Sequence, residues 1–551
     1  MNKKTIIILP LLIAVSVAAG ILLGSLLSSN SQPTFRGAQP GGANKISTVL
    51  NLIEQGYVDS VNTKSIAEQI IPEILKNLDP HSTYISAPNM VEVQEEMTGN
   101  FSGIGVQFSV MDDTVRVIDV ISGGPSSKVG VMPGDRIVRV NDSIIAGVNV
   151  RNATVLSLLK GKKNTKVIVG IVRKDYKKEL EFEITRGEIP LFSVDVAYMI
   201  DEETGFIKVS RFANKTYKEF MEKMVILDEH GAKKVIIDLR QNTGGSLNVV
   251  LQMLDEFLEK GEPILYTEGI NQPRKTYNAS GKNNWQDLEV FVLIDEFSAS
   301  ASEIFAGAMQ DNDRGIVIGR RSFGKGLVQE QIPFMDGSAL RLTVARFYTP
   351  SGRCIQSSYE DGSEEYFNDI HDRFQSMEQL VSDSIHFIDS LKYETKSGRI
   401  VYGGGGIMPD FFVPIDTSGN SEYFTNIYRK GLIYTFAYSF ADEHREELSA
   451  LATAEEFDDY LDKKKAIDDF VRYAAEKGVA KDSKGLIESG TIINTQLKAY
   501  IARNIIGEEG FYPIIKTIDK TLLRAIEISR QNLLVENISK NDSISTLPLL
   551  K

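Results

Sequence analysis

Cysteine occurs once in the 551 residues, at Cys354, so no intramolecular disulfide can form and stability has to come from packed cores. The surrounding RCIQ offers no nearby histidine, which reads as a packed, inert thiol rather than a catalytic one. Histidine is scarce as well: His81, His230, His371, His386 and His444 are all there are, and none stands in a Gly-rich turn beside an α/β pattern. That weighs mildly against a serine-histidine-aspartate triad, which distant residues could still assemble. An excess of basic charge is also missing. The net charge is -13 and the basic residues are interspersed with acidic ones, apart from small clusters such as Lys174, Lys177 and Lys178. Nucleic acid demands a concentrated cationic footprint, so peptides or small molecules are the expected partners.

What is present is ordinary globular composition, 42% hydrophobic and 25% charged, in a chain long enough for three or four domains. Lys3 and Lys4 precede an uninterrupted weakly polar to apolar run from Thr5 to Leu27, long enough to cross a bilayer. With the positive residues inside, residues 1–28 are expected to be a single-pass inner-membrane anchor, and the rest to lie in the periplasm or another extracytoplasmic space. A cleaved signal peptide and a soluble periplasmic protein are the alternative. Residues 29–45, rich in Ser, Gly, Pro and Gln, read as a flexible tether.

From Ile46 to Leu78 the apolar positions recur mostly at helical spacing, and residues 46–95 read as a helical segment. Residues 96–190 turn to short period-two runs (VRVIDV, DRIVRVN, KVIVGIVR, LEFEIT) with a helix at Ala153 to Leu159, a small β domain. Over 191–415 strands and helices alternate: GFIKVS, a helix over Lys215 to Glu229, KKVIIDL, a helix over Leu247 to Glu259, EVFVLID, a helix over Ala301 to Gln310, and GIVIG. That is an α/β core. LVQEQIPF and ALRLTVARFYT flank an Asp-Gly turn and predict a hairpin. Residues 416–551 are strongly helical.

EVFVLID runs into the turn EFSASA and then directly into a helix, which puts Ser300 at a helix N-terminus beyond a strand end. Open α/β sheets hold reactive groups there, and the free N–H groups stabilise a developing anion. Ser300 and Glu303 also spell a capping box, a purely structural role, and Ser298 and Ser302 compete for any catalytic one. Lys325, between Gly324 and Gly326 in a turn between two strands, can serve as the base if burial lowers its pKa; a solvated loop charge is the plain alternative. Gly319 to Lys325 (GRRSFGK) imitates the opening of a phosphate-binding loop, but Gly326 stands where Ser or Thr should ligand magnesium, and a strand follows. In VIIDLRQNTGGSL, Gly244 and Gly245 can bring N–H groups to a substrate carbonyl, with Ala301 supplying another.

FSASASEIFAGAMQDNDRGIVIGRRSFGKGLVQ resembles the catalytic segment of the C-terminal processing, or tail-specific, serine protease family, whose nucleophile and lysine are twenty-five residues apart, as Ser300 and Lys325 are. The family also carries a glutamine four residues after the lysine, here Gln329, which the resemblance makes the group that orients it. DLRQNTGG resembles the family's oxyanion segment, YGGGGIMPD a later signature, and LDPHSTYI its N-terminal helical entry, the matches spanning about 46–415. The β domain resembles the family's PDZ module, with Gly103, Ile104, Gly105 and Val106 in the loop that takes a terminal carboxylate. The resemblance implies a protease core of crotonase-like βα units, no metal or other cofactor, and unfolded or tail-exposed protein substrates. The helical C-terminal region lies outside it and suits dimerisation or docking of an adaptor. A catalytically silent PDZ scaffold and a nucleotide-dependent enzyme are the competing readings.

Overall fold

The computed structural model describes residues 42–531, except 122, 175, 283, 376–379 and 381–388, together with the isolated positions 16 and 19. Apart from those two positions, the expected anchor lies outside the described residues, as does most of the tether. Among those described, no helix is long and apolar enough to cross a membrane. The chain divides into two units, residues 1–73 and 74–551. In the first, a helix already spans Gly42–Gly56, so regular structure begins inside the segment read as tether.

The second unit corrects the helical reading of residues up to 95. LDPHSTYI is a turn and a short strand, β1 (Thr83–Ile85), which pairs with the later strand Ala339–Tyr348. The turn is closed by the Asp79 carboxylate, which accepts from the N–H groups of His81 and Ser82 and from the Ser82 hydroxyl. A helix, Ala87–Thr98, follows and stops at Gly99.

The β domain contains β2 (Asn100–Gly103), β3 (Val106–Met111), β4 (Thr114–Val120), β5 (Arg136–Val140), β6 (Ser143–Ile144), β7 (Lys166–Val172), β8 (Leu180–Thr185) and β9 (Gly187–Pro190). One sheet runs β3-β4-β5-β7-β8 with β6 on β5, and β2 and β9 form a separate ribbon. Alternate apolar residues such as Val115, Val117, Ile137 and Val169 point inward and close over Val155 of the helix Asn152–Leu159. In its sheet β3 pairs with β4 alone, which leaves an edge to which an extended peptide can add.

The α/β core contributes β10 (Val194–Met199), β11 (Thr204–Val209), β12 (Lys234–Asp238), β13 (Pro263–Gly269), β14 (Gln272–Asn278), β15 (Glu289–Ile294), β16 (Gly315–Gly319), β17 (Leu327–Pro333), β18 (Ala339–Tyr348), β19 (Lys392–Glu394), β20 (Ile400–Tyr402) and β21 (Phe411–Phe412). Its central sheet runs β10-β11-β12-β15-β16-β21, parallel except for the β10–β11 pair. Every residue of β11, β12 and β16 is buried, as parallel strands covered on both faces require. Helices Thr216–Glu229, Leu247–Leu254 and Ala301–Asp311 cover one face. The other is covered by Leu522, Ala525 and Ile528 of the helix Lys520–Arg530. Part of the C-terminal region is therefore a layer of the core rather than an appendage, and Arg240 pairs with Asp519 at its start.

The helix expected to reach Glu259 ends at Leu254, because Asp255 turns to take the Ser280 hydroxyl and Glu256 takes Tyr217 and Asn284. The predicted hairpin is β17 on β18, within a five-stranded antiparallel sheet that also holds β1, β13 and β14. The remaining helices build their own core around Phe436, Phe457, Phe470 and Leu497. They also reach the β domain, where Tyr438 packs with Met111 and Ile118 and donates to the Val117 carbonyl at 3.2 Å.

Candidate active site

Three serines share the turn after β15, and the structure separates them. Ser298 is fully buried and its hydroxyl donates to the Leu239 carbonyl at 2.9 Å. Ser302 is equally buried and donates to the Asn242 carbonyl at 2.8 Å. These two bonds, with Ala299 N–H on the same Asn242 carbonyl at 3.0 Å, stitch the turn to the neighbouring one after β12. Ser300 alone is half-exposed, and in the capping box with Glu303 its hydroxyl oxygen serves as the acceptor, which does not use its proton. Its backbone, at φ 54° and ψ -110°, is held in a region that costs a non-glycine residue about 1–3 kcal/mol. The surrounding bonds sustain that strain and lift the side chain out of the turn, as in a nucleophile elbow.

Although the capping-box arrangement is present, the bond that matters in it runs the other way, from Ser300 N–H to Glu303 Oε2 at 2.8 Å. Glu303 is fully buried and also accepts from Lys325 N–H on the same oxygen at 2.9 Å. Its other oxygen accepts from Gly324 N–H at 2.7 Å and from the Ser322 hydroxyl at 2.6 Å. One carboxyl thus holds both the start of the Ser300 helix and the turn carrying Lys325. Since two of these bonds end on one atom, the main-chain nitrogens of Ser300 and Lys325 are no further apart than the two bond lengths together. Burial raises the pKa of Glu303, while its four donors oppose the shift.

The half-buried Lys325 donates from Nζ to Gln329 Oε1 at 3.2 Å, and Gln329 Nε2 donates in turn to the His81 carbonyl at 2.7 Å. The glutamine is thereby fixed with its acceptor toward the amine. Burial lowers the lysine's pKa and Arg341 adds to the effect, against weaker opposition from Glu303 and Asp79. No hydrogen bond joins Ser300 Oγ and Lys325 Nζ among the described residues. The signature around Gly406 supports the same turn from behind, with Ile407 N–H donating to Ser322 Oγ at 2.6 Å.

Of the glycine pair, Gly244 N–H is committed to Asn242 Oδ1 at 2.9 Å. Gly244 instead supplies room: at φ +104° a Cβ there would stand 2.8 Å from both Ala299 O and Ser300 Cβ. Gly245 N–H and Ala301 N–H make no hydrogen bond among the described residues, so these two are the available donors. In the β domain, Gly103 pairs in the β2–β9 ribbon and the Ile104 side chain is buried. Gly105 turns the chain at φ +75° and Val106 opens the edge strand. The N–H groups of Ile104 and Gly105 have no partner among the described residues, as a carboxylate loop requires.

One histidine does reach the site. The His81 ring meets Phe323, Tyr366 and Phe367 edge-on, and Nε2 is 2.9 Å from the Tyr366 hydroxyl. Burial first, and the positive Lys325 second, lower its pKa to about 4. It is a neutral neighbour of the lysine with its Nε2 occupied; the LDPHSTYI resemblance covers it without giving it a role. Cys354 is partly buried, and burial pushes its thiol pKa up.

Residues 203–362 match peptidase family S41 and residues 102–184 match the PDZ domain. A carboxy-terminal-processing protease of Bartonella bacilliformis is 32% identical over 343 residues, 61% of this chain and 76% of that protein. The chain belongs to this family of serine peptidases. The carboxy-terminal processing protease CtpB of Bacillus subtilis is also 32% identical, over 314 residues, 56% of this chain and 65% of its own length. A solved structure described as a photosystem II D1 C-terminal processing protease aligns with 56% of this S41 peptidase and 88% of its own chain, at 23% identity and a TM-score of 0.33. Residues 423–507, in the helical region, match a family of unknown function, DUF8443.

Proposed function

We propose that this S41 peptidase cleaves exported proteins that present an unstructured C-terminal tail, using Ser300 as nucleophile and Lys325 as its general base. The tail docks on β3 with its carboxylate at the N–H groups of Ile104 and Gly105. Neutral Lys325, aimed by Gln329, takes the Ser300 proton as Oγ attacks the scissile carbonyl. Ala301 N–H and Gly245 N–H receive the oxyanion. The lysine then gives its proton to the leaving amine, and the acyl-enzyme forms. Lys325 then takes a proton from a water that attacks the acyl carbonyl and returns it to Ser300 Oγ as the ester bond breaks, which releases the product and restores the serine. The reading extends to a membrane anchor at Thr5 to Leu27 with the enzyme on the extracytoplasmic side.

The observation that carries the proposal is the division among the three serines. Ser298 and Ser302 are spent on holding the turn, while the strained, half-exposed Ser300 is tied through Glu303 to the lysine turn.

Tail recognition has its own test. Gly105→Asp places a negative charge where the carboxylate docks and is expected to weaken tail-dependent cleavage about tenfold or more, while short peptides are cut as by wild type. A β-carbon at φ +75° is strained in itself, so Gly105→Ala is the control and should lose much less. Equal loss on tailed proteins and short peptides would contradict the division of labour between module and core.

A further inference from the structure

The helix Ser363–Gln375 is mostly polar, yet two of its side chains are almost fully enclosed: Tyr366 is 4% exposed and Arg373 is 3% exposed. Both point at the lysine turn. Arg373 Nη1 donates to the Ser322 carbonyl at 2.8 Å and Nη2 to the Phe323 carbonyl at 3.2 Å, on the residues just before Gly324 and Lys325. The Tyr366 hydroxyl lies 2.9 Å from His81 Nε2 and accepts from Gln356 Nε2 at 3.3 Å. Both partners lead back to the lysine. Gln356 Oε1 accepts from Gly326 N–H at 2.8 Å, directly after it, and the His81 carbonyl holds Gln329, which takes the amine.

We infer that the Tyr366 hydroxyl is a positioning group for peptide hydrolysis, joining the two flanks of the Lys325 turn while its ring, with His81 and Phe323, roofs the amine against water. The inference rests on the reading of Lys325 as base. An amide Nε2 only donates, so Gln356 donates to the tyrosine oxygen, which keeps its own proton and a second lone pair for His81. Burial holds the His81 pKa at about 4, so the ring is neutral near pH 7, and its tautomer sets the direction: a bare Nε2 accepts the tyrosine proton and an Nε2–H donates to the oxygen. The rings enclose the chain of bonds: His81, Phe323 and Tyr366 stand edge to face with centroids 5.2 to 6.4 Å apart. Tyr366 touches no reacting atom in this scheme. It acts through Gln356, Gly326, His81 and Gln329.

The test measures kcat and KM across pH on the full chain for wild type, Tyr366→Phe, Tyr366→Ala and Lys325→Ala, with an unfolded protein and a short peptide as substrates. Rates are normalised to the folded fraction. Tyr366→Phe keeps the ring and loses the bonds; kcat is expected to fall roughly fivefold to tenfold on both substrates with KM unchanged. Tyr366→Ala also opens the roof, so the amine regains water and the acidic limb of the pH profile moves up. Wild-type kcat in Tyr366→Phe, even with a lowered melting temperature, would overturn the inference, as would an unmoved acidic limb in folded Tyr366→Ala. If Tyr366→Ala does not fold, the kcat of Tyr366→Phe decides alone. An active Lys325→Ala enzyme would sink the base assignment itself, whereas an inactive one beside a wild-type-like Tyr366→Phe would sink only the role of the tyrosine.

Discussion

Replacing Lys325 by alanine is expected to lower kcat/KM about a thousandfold, the range over which a positioned general base contributes. Serine at its free pKa is a poor nucleophile and needs a base to take its proton. Lys325→Arg should be no better. A guanidinium does not give up its proton in a protein, and its planar head does not fit the acceptor that Gln329 offers the amine at 3.2 Å. In wild type the rate should rise with pH as the ammonium loses its proton. Because burial and then Arg341 lower that pKa, the rise should be centred below ~10.4, the value of an unperturbed lysine. A small primary amine added to Lys325→Ala should restore part of the activity by standing in for the missing base. Activity within tenfold of wild type in Lys325→Ala would count against the assignment.

The second large effect is expected at Glu303. Its carboxyl satisfies three backbone N–H groups and one hydroxyl, all buried or half-buried, and nothing else in the turn can replace it. Glu303→Ala leaves those donors without partners at ~1 kcal/mol or more each, a loss of about 4 kcal/mol. The lysine turn and the start of the Ser300 helix then separate. Glu303→Gln isolates the electrostatic part. It keeps the volume but turns an amide N–H₂ toward two of the four donors, so kcat should fall roughly a hundredfold with KM little changed. Chemical denaturation and steady-state kinetics on the two variants measure this. Wild-type stability in Glu303→Ala would mean that the carboxyl is not the tie between the two turns.

The parts of this site that could be read from sequence are those whose geometry is local. Ser300 follows a strand and opens a helix, so the local pattern brings it near its place, while Gln329 was marked by the family resemblance, four residues after Lys325. The choice among Ser298, Ser300 and Ser302 was not local. It depends on Leu239 and Asn242, sixty residues upstream, which take the two competing hydroxyls. The same holds for the glycine pair, where an Asn242 side chain decides that Gly244 gives space and Gly245 keeps a free N–H. His81 and Tyr366 meet across 285 positions, and the helix bearing Tyr366 has too thin an apolar stripe to announce itself.

At the level of the fold, the alternating α/β core was legible because fully buried parallel strands are continuous apolar runs. The β13–β14 hairpin was not, because QPRKTYN is almost wholly exposed and shows no alternation. The long charged stretch after Thr453 breaks at Lys465, in a left-handed conformation that no glycine or proline signals.

Digestion of an unfolded protein with a free apolar C-terminus by wild type, Ser300→Ala, Ser298→Ala and Ser302→Ala, each confirmed folded, tests the central claim most directly. Loss of all cleavage in Ser300→Ala, with measurable turnover kept in the two neighbours, is the predicted result. Cleavage by folded Ser300→Ala at a rate near wild type would contradict it.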